Sequence, residues 1–123
     1  MKEQKATKTL TVTDANFERE VLQSDIPVLV DVWADWCAPC KSLGPVIDSL
    51  ADEYDGAVKI SKLDADRNEM AATLGVRSIP TVMLFSNGEI KNTYVGVGPK
   101  RHYQDGLDAL LIETSREQID GIY

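Results

Sequence analysis

The sequence predicts an α/β domain with a central mixed β-sheet flanked by helices on both faces. Three observations predict it. Strand-like and helix-like apolar periodicities alternate along most of the chain, in the order βαβαβαββα. Residues 28–34 form a nearly continuous apolar run, as expected of a strand covered on both sides. Asn87-Gly88 separates two strand-like runs and is a strong hairpin signal, which adds an antiparallel edge. Elsewhere, strand–helix–strand alternation implies parallel pairing.

The elements follow in order. Residues 10–12 read as a short strand. Thr13 or Asp14 then suits the cap of a helix with Phe17, Val21 and Leu22 on one face. Pro27 ends that region and the apolar strand 28–34 follows. Leu43, Val46, Ile47, Leu50, Ala51 and Tyr54 recur at helical spacing, with Pro45 inside the pattern as an expected kink and Gly56 as its stop. Residues 58–63 read as a strand, and 68–74 as a short helix ending at Gly75. Strands at 81–85 and 89–95 flank the hairpin turn. Tyr103, Leu107, Leu110 and Leu111 make the apolar face of a last helix. The ends are polar. Residues 1–8 read as a flexible extension, 9–114 as the domain and 115–123 as a C-terminal tail.

Composition narrows the function. The 123 residues hold 13 Lys+Arg and 20 Asp+Glu, a net charge of −7. That balance excludes a binder of nucleic acid or anionic membrane that works by clustered positive charge. A 43% hydrophobic content supports a packed core. No apolar run approaches the ~20 residues of a membrane span. The N-terminal segment lacks the apolar stretch of a signal peptide, so a reducing cytoplasm is the expected location. Two cysteines are too few for a disulfide-stapled scaffold, and with one histidine, His102, the ligand supply is too small for a closed four-ligand metal site.

The chemistry therefore centres on the cysteine pair. Cys37 and Cys40 lie at i and i+3 where a buried strand meets a helix, and Pro39 suits the first helical turn. Cys37 is expected at or near the N-cap, exposed, where unpaired N–H groups and the positive dipole end stabilise a thiolate. Cys40, one turn further in, is expected to be less exposed and within disulfide reach. Cys37 would attack a substrate disulfide and Cys40 would resolve the mixed disulfide. Taken alone, the spacing equally fits half of a zinc site shared between chains, or two core thiols. Asp31 interrupts an apolar strand. It is either a residue satisfied by hydrogen bonds or a carboxyl of raised pKa that exchanges protons with Cys40. Lys62, on the strand face of Val58 and Ile60, either snorkels to solvent or points inward near Asp31.

These residues resemble the thioredoxin family. The landmarks are Val30-Asp31-Val32-Trp33-Ala34, Trp36-Cys37-Ala38-Pro39-Cys40-Lys41, Pro45, Arg77-Ser78-Ile79-Pro80-Thr81, Asn87-Gly88 and Val95-Gly96. Together they span roughly residues 10 to 112, and a Cys-x-x-Cys near a βαβ pattern is itself a thioredoxin-like motif. The resemblance implies the thioredoxin fold and a cis Ile79–Pro80 bond beside the cysteines. It implies that the Ile79 backbone pairs with an extended substrate segment. Trp36, Ala38, Pro39, Thr81, Val95, Gly96 and Val97 would surround an apolar contact surface. Trp33 would pack beneath the site, and Asp66 would accept a hydrogen bond from the Trp36 indole. Each has a plainer reading: Trp33 and Val95 as packing residues, Gly96 as a turn, Thr81 as a strand residue.

The implied function is reduction of protein disulfides, by a monomer with no bound cofactor and no metal. NADPH would recharge it through a thioredoxin reductase. The competing functions are a more oxidising thiol oxidase or isomerase, and a non-enzymatic binding module. Ala38 and Val32 depart from the family's usual glycine and phenylalanine, and Gly44 weakens the helix locally. Ala38 bears on redox poise, since the dipeptide between the cysteines tunes it in this family.

Overall fold

A computed structural model of the chain describes residues 8–122, with side chains as far as residue 115. Five strands form one sheet: β1 (Leu10–Val12), β2 (Val28–Trp33), β3 (Lys59–Asp64), β4 (Thr81–Ser86) and β5 (Glu89–Val95), in the order β1-β3-β2-β4-β5. Both pairings of β3 are parallel, and β4 is antiparallel to β2 as well as to β5. The antiparallel part thus extends beyond the edge strand that the hairpin signal predicts. The reason lies in the connection from β3 to β4. Its helix, α2 (Met70–Thr73), is a single turn, and the chain re-enters the sheet at the same end that β3 leaves, instead of crossing back to the other end. At the hairpin, Asn87 and Gly88 both hold positive φ, 55° and 78°. Two such residues in a row are the geometry that favours Asn-Gly.

The two sheet faces bury different partners. Side chains alternate along a strand, so Val28, Val30 and Val32 pack on Val12, Phe17, Val21, Leu63, Met83 and Phe85. Phe17 and Phe85 meet edge-on at 5.8 Å. On the other face Leu29 packs with α1 (Ala38–Glu53) and α3 (Lys100–Ile122), through Leu43, Ile47, Leu50, Tyr103 and Leu107. Helix α1 continues through Pro45, and Gly56 beyond its end has φ 86°.

Three local expectations are corrected. The first helix is one π-type turn, Glu18–Leu22, in which the Gln23 N–H donates to the Glu18 carbonyl at 2.9 Å. Neither Thr13 nor Asp14 caps it with a side chain. Asp14 instead accepts from the Glu69 and Met70 N–H groups at 2.8 and 2.9 Å, so it caps α2, far along the chain. The last helix continues to Ile122, past its apolar stripe, because residues such as Glu113 favour helix without needing a buried face. Residues 1–7 of the predicted extension and Tyr123 of the tail lie outside the described residues. Lys8 pairs with Asp55 at 2.9 Å.

One glycine sets how closely α3 approaches the sheet. A Cβ on Gly106 would stand 2.8 Å from Leu84 Cδ1, 2.9 Å from Asn92 Nδ2, and closer still to the Tyr94 hydroxyl. Leu84 and Asn92 can yield, but Tyr94 is a stiff ring wedged edge-on against Tyr103 at 5.1 Å. Gly106→Ala gains up to ~1 kcal/mol of helix propensity and loses about 1–3 kcal/mol to overpacking. Thermal unfolding of this variant is expected to show a net loss of up to about 2 kcal/mol, against the gain seen at an open helical glycine.

Candidate active site

The apolar strand β2 ends at Trp33 and the chain turns into α1 within a few residues. Cys37 is the N-cap of that helix, with extended backbone, φ −93° and ψ 102°. Its sulfur accepts from the Cys40 N–H at 3.2 Å. Pro39 occupies the first turn, where a missing N–H leaves no carbonyl unpaired. Cys37 and Cys40 are joined in a disulfide with Cα atoms 5.3 Å apart. Contrary to the expected contrast in exposure, Cys37 and Cys40 are 4% and 3% exposed. In the oxidised form both sulfurs are turned toward each other, and Cys37 Sγ lies 3.9 Å from the Ile79 carbonyl oxygen.

The Ile79–Pro80 bond is cis. Around it the backbone is tied down: Gly96 N–H donates to the Pro80 carbonyl at 2.8 Å, and the Thr81 hydroxyl donates to the Ser78 carbonyl at 2.6 Å. Thr81 pairs with Val95 across β4 and β5. Trp36 stands 71% exposed, yet its indole N–H donates to Asp66 Oδ2 at 2.8 Å, so the ring is held in place while presented to solvent. Val95 and Val97 are also exposed. An open cleft of about 410 Å³ separates Trp36 from Val76, Arg77, Ser78 and Ile79. Trp33 is half-buried, and its carbonyl accepts from the Ala65 N–H at 2.8 Å. Ala38 and Pro39 are exposed beside the disulfide, and Pro45 lies one to two turns further along α1.

Asp31 follows Leu29 by two residues and so shares the face covered by α1 and α3. It is 1% exposed, and its Oδ1 has no hydrogen-bond partner. Burial pushes its carboxyl up to about 7. Lys62 opposes that shift and Asp48 adds to it. Lys62 is the register partner of Asp31 on β3, but its ammonium pairs with Asp48 Oδ1 at 3.3 Å. Asp31 is therefore a buried carboxyl with a cation nearby that is engaged elsewhere. Asp48 was not among the candidates read from the sequence. The signal was a stripe at i, i+4, i+8 on α1: Cys40, Gly44, Asp48. Gly44 sits in the middle of it, where a Cβ would lie 3.7 Å from the Lys62 ammonium.

Among the described residues, no three His, Cys, Asp or Glu side chains converge to hold a metal ion, and no helix is long and apolar enough to cross a membrane.

Known proteins share this arrangement. The thioredoxin family model matches residues 8–109. A thioredoxin of Rickettsia felis is 50% identical over 98 residues, 79% of this chain and 93% of the relative. One from Porphyra purpurea is 47% identical over 101 residues, 81% of this chain and 94% of the relative. A thioredoxin 1 of Synechococcus elongatus is 49% identical, again over 81% and 94%. The chain belongs to the thioredoxin family and is a thiol–disulfide oxidoreductase that reduces protein disulfides through Cys37 and Cys40.

Proposed function

We propose that Cys37 is the attacking thiol, Cys40 the resolving thiol and Asp31 the proton acceptor for Cys40. The observation that supports this most directly is the Cys37 sulfur serving as N-cap of α1. On reduction that sulfur faces the Cys40 N–H and the positive end of the helix dipole, which favours thiolate over thiol. The thiolate attacks one substrate sulfur, and the other substrate sulfur leaves as a thiolate. Cys40 then loses its proton to the Asp31 carboxylate and attacks Cys37 Sγ. The second substrate thiolate leaves, two electrons have passed to the substrate, and the Cys37–Cys40 disulfide remains. Lys62, held by Asp48, lowers the electrostatic cost of the buried Asp31 carboxylate that must be ionised before that transfer.

The docking surface in this reading is Trp36, Ala38, Pro39, Ile79, Pro80, Thr81, Val95, Gly96 and Val97. An extended substrate segment lies along the Ile79 backbone, as an added strand would, and the exposed Trp36, Val95 and Val97 cover its apolar side chains. Trp33, Asp66 and Pro45 support this surface and do not touch substrate. The protein acts as a monomer in a reducing cytoplasm, recharged by NADPH through a thioredoxin reductase.

Cys37→Ser is expected to abolish reduction of insulin disulfides. Cys40→Ser is expected to retain attack and accumulate mixed disulfides with substrate, visible on non-reducing gels. Wild-type turnover in either variant would sink the mechanism.

Asp31 also predicts a pH dependence of stability. Its folded pKa of about 7 lies above the ordinary 3.8. Between those values the folded oxidised protein holds a proton that the unfolded chain has released. Stability therefore falls as pH rises through that window and is level above it. Asp31→Asn removes the effect. Denaturant unfolding should find the oxidised variant more stable than wild type at pH 8, by at most on the order of 4 kcal/mol, with the difference shrinking as pH falls toward the ordinary carboxylate range.

A further inference from the structure

Residues 96–98 join β5 to α3 and carry Gly96 and Val97 past Pro80. The Gly98 N–H donates to the Tyr103 hydroxyl at 3.2 Å. Tyr103 is fully buried, packed with Leu29, Leu43 and Leu107. Its ring is fixed edge-on against Tyr94, at 5.1 Å and 75°. Tyr94 in turn donates to the His102 carbonyl at 3.3 Å and fills the space that Gly106 leaves open. One phenol thus ties α3 to the loop, and the other ties β5 to α3. The core needs only the ring of Tyr103, and burying a hydroxyl is unfavourable unless it is bonded. The exchange chemistry described above does not use this hydroxyl. Among the described residues its hydrogen-bond partner is the loop amide of Gly98. Burial holds the phenol above its ordinary pKa, so it remains a neutral acceptor throughout the working range.

We propose that Tyr103 is a positioning residue for polypeptide substrates: its buried hydroxyl fixes the loop at residues 96–98, so that Gly96 and Val97 receive an extended segment beside Cys37. This rests on the docking surface proposed above. The loop needs such a tether. The Gly96 N–H is already held by the Pro80 carbonyl, but Gly96 has φ 85° and Gly98 follows two residues later, so without the contact at Gly98 the far side of the loop, Val97 and Gly98, has wide conformational freedom. A substrate meeting an untethered loop must order it on binding, which weakens association. A small disulfide that reaches only the sulfur has no need of the loop.

The test is steady-state kinetics of Tyr103→Phe, which keeps the ring and removes the oxygen, with insulin and with the small aromatic disulfide dithiobis(nitrobenzoate). KM for insulin is expected to rise about tenfold, the weight of one hydrogen bond, while kcat and the small-disulfide kcat/KM stay within about twofold. Equal losses on both substrates, or a shifted pH profile with the small disulfide, would place the hydroxyl in the sulfur chemistry and overturn the proposal. Val97→Asp separates the two readings. If it raises the insulin KM and Tyr103→Phe does not, the tether is wrong and the docking surface stands. If neither variant raises it, both fall. Hydrogen exchange of the wild-type protein gives an independent check, since the Gly98 amide should be protected. Exchange there at the rate of an unbonded loop amide would overturn the tether without any variant.

Discussion

The sulfur of Cys37 caps a helix, and the site is organised around that contact. A helix start leaves backbone N–H groups unpaired, and oxygen side chains usually satisfy them. Here sulfur accepts the Cys40 N–H at 3.2 Å. The same amide that starts α1 is therefore placed to stabilise negative charge on the atom proposed above as the attacking thiolate. Placement depends on β2, the central strand, whose buried run delivers the chain to the end of the sheet beside the Ile79–Pro80 segment. Cys40, fixed one turn along, is brought within bonding distance by helix geometry alone.

Asp31 is the counterpart of that arrangement, a polar group placed where the fold would prefer an apolar one. A buried carboxyl with an unpartnered oxygen opposes folding once it is charged. Full neutralisation by Lys62 would relieve this, but would also hold the carboxylate ionised and make it a poor proton acceptor near neutrality. Engaging Lys62 with Asp48 at 3.3 Å leaves its field present and its contact unavailable. The result is a carboxyl poised near 7, where gaining and losing a proton are comparably easy.

Much of this was legible in the sequence, and the gaps have physical causes. The short strand Leu10–Val12 and the strand Glu89–Val95 appear where periodicity and the Asn-Gly turn place them. Periodicity reports which face is buried. It does not report strand direction, so the antiparallel entry of β4 was hidden. Capping by Asp14 was assigned to the adjacent helix because local patterns see only neighbours, whereas its acceptors serve α2 in the folded chain. The polar end of α3 carries no apolar stripe and was read as a tail. At the site, the cysteines, Asp31 and Lys62 announced themselves by residue type. Asp48 and the Tyr103 hydroxyl did not, since an acidic residue on a helix and an aromatic one in a core are both ordinary until the partner strand and loop are known.

The two faces of the sheet divide the work. Below β2, Val28, Val30 and Val32 lie in an apolar cluster, and Ser61, buried on the same face of β3, has its hydroxyl satisfied by the Leu29 carbonyl at 2.8 Å. Above it lie Asp31, Lys62, Asp48, the Cys40 end of α1 and the two tyrosines. A strand alternates faces at every residue, so one six-residue segment feeds both. The apolar face needs nothing from the reactive one and supplies stability through burial alone. That reserve is what allows the opposite face to keep a carboxyl with one unpartnered oxygen and a bond meant to be broken. A further polar group on the dry face would draw on the same reserve without serving the chemistry, which accounts for valines at all three of those β2 positions.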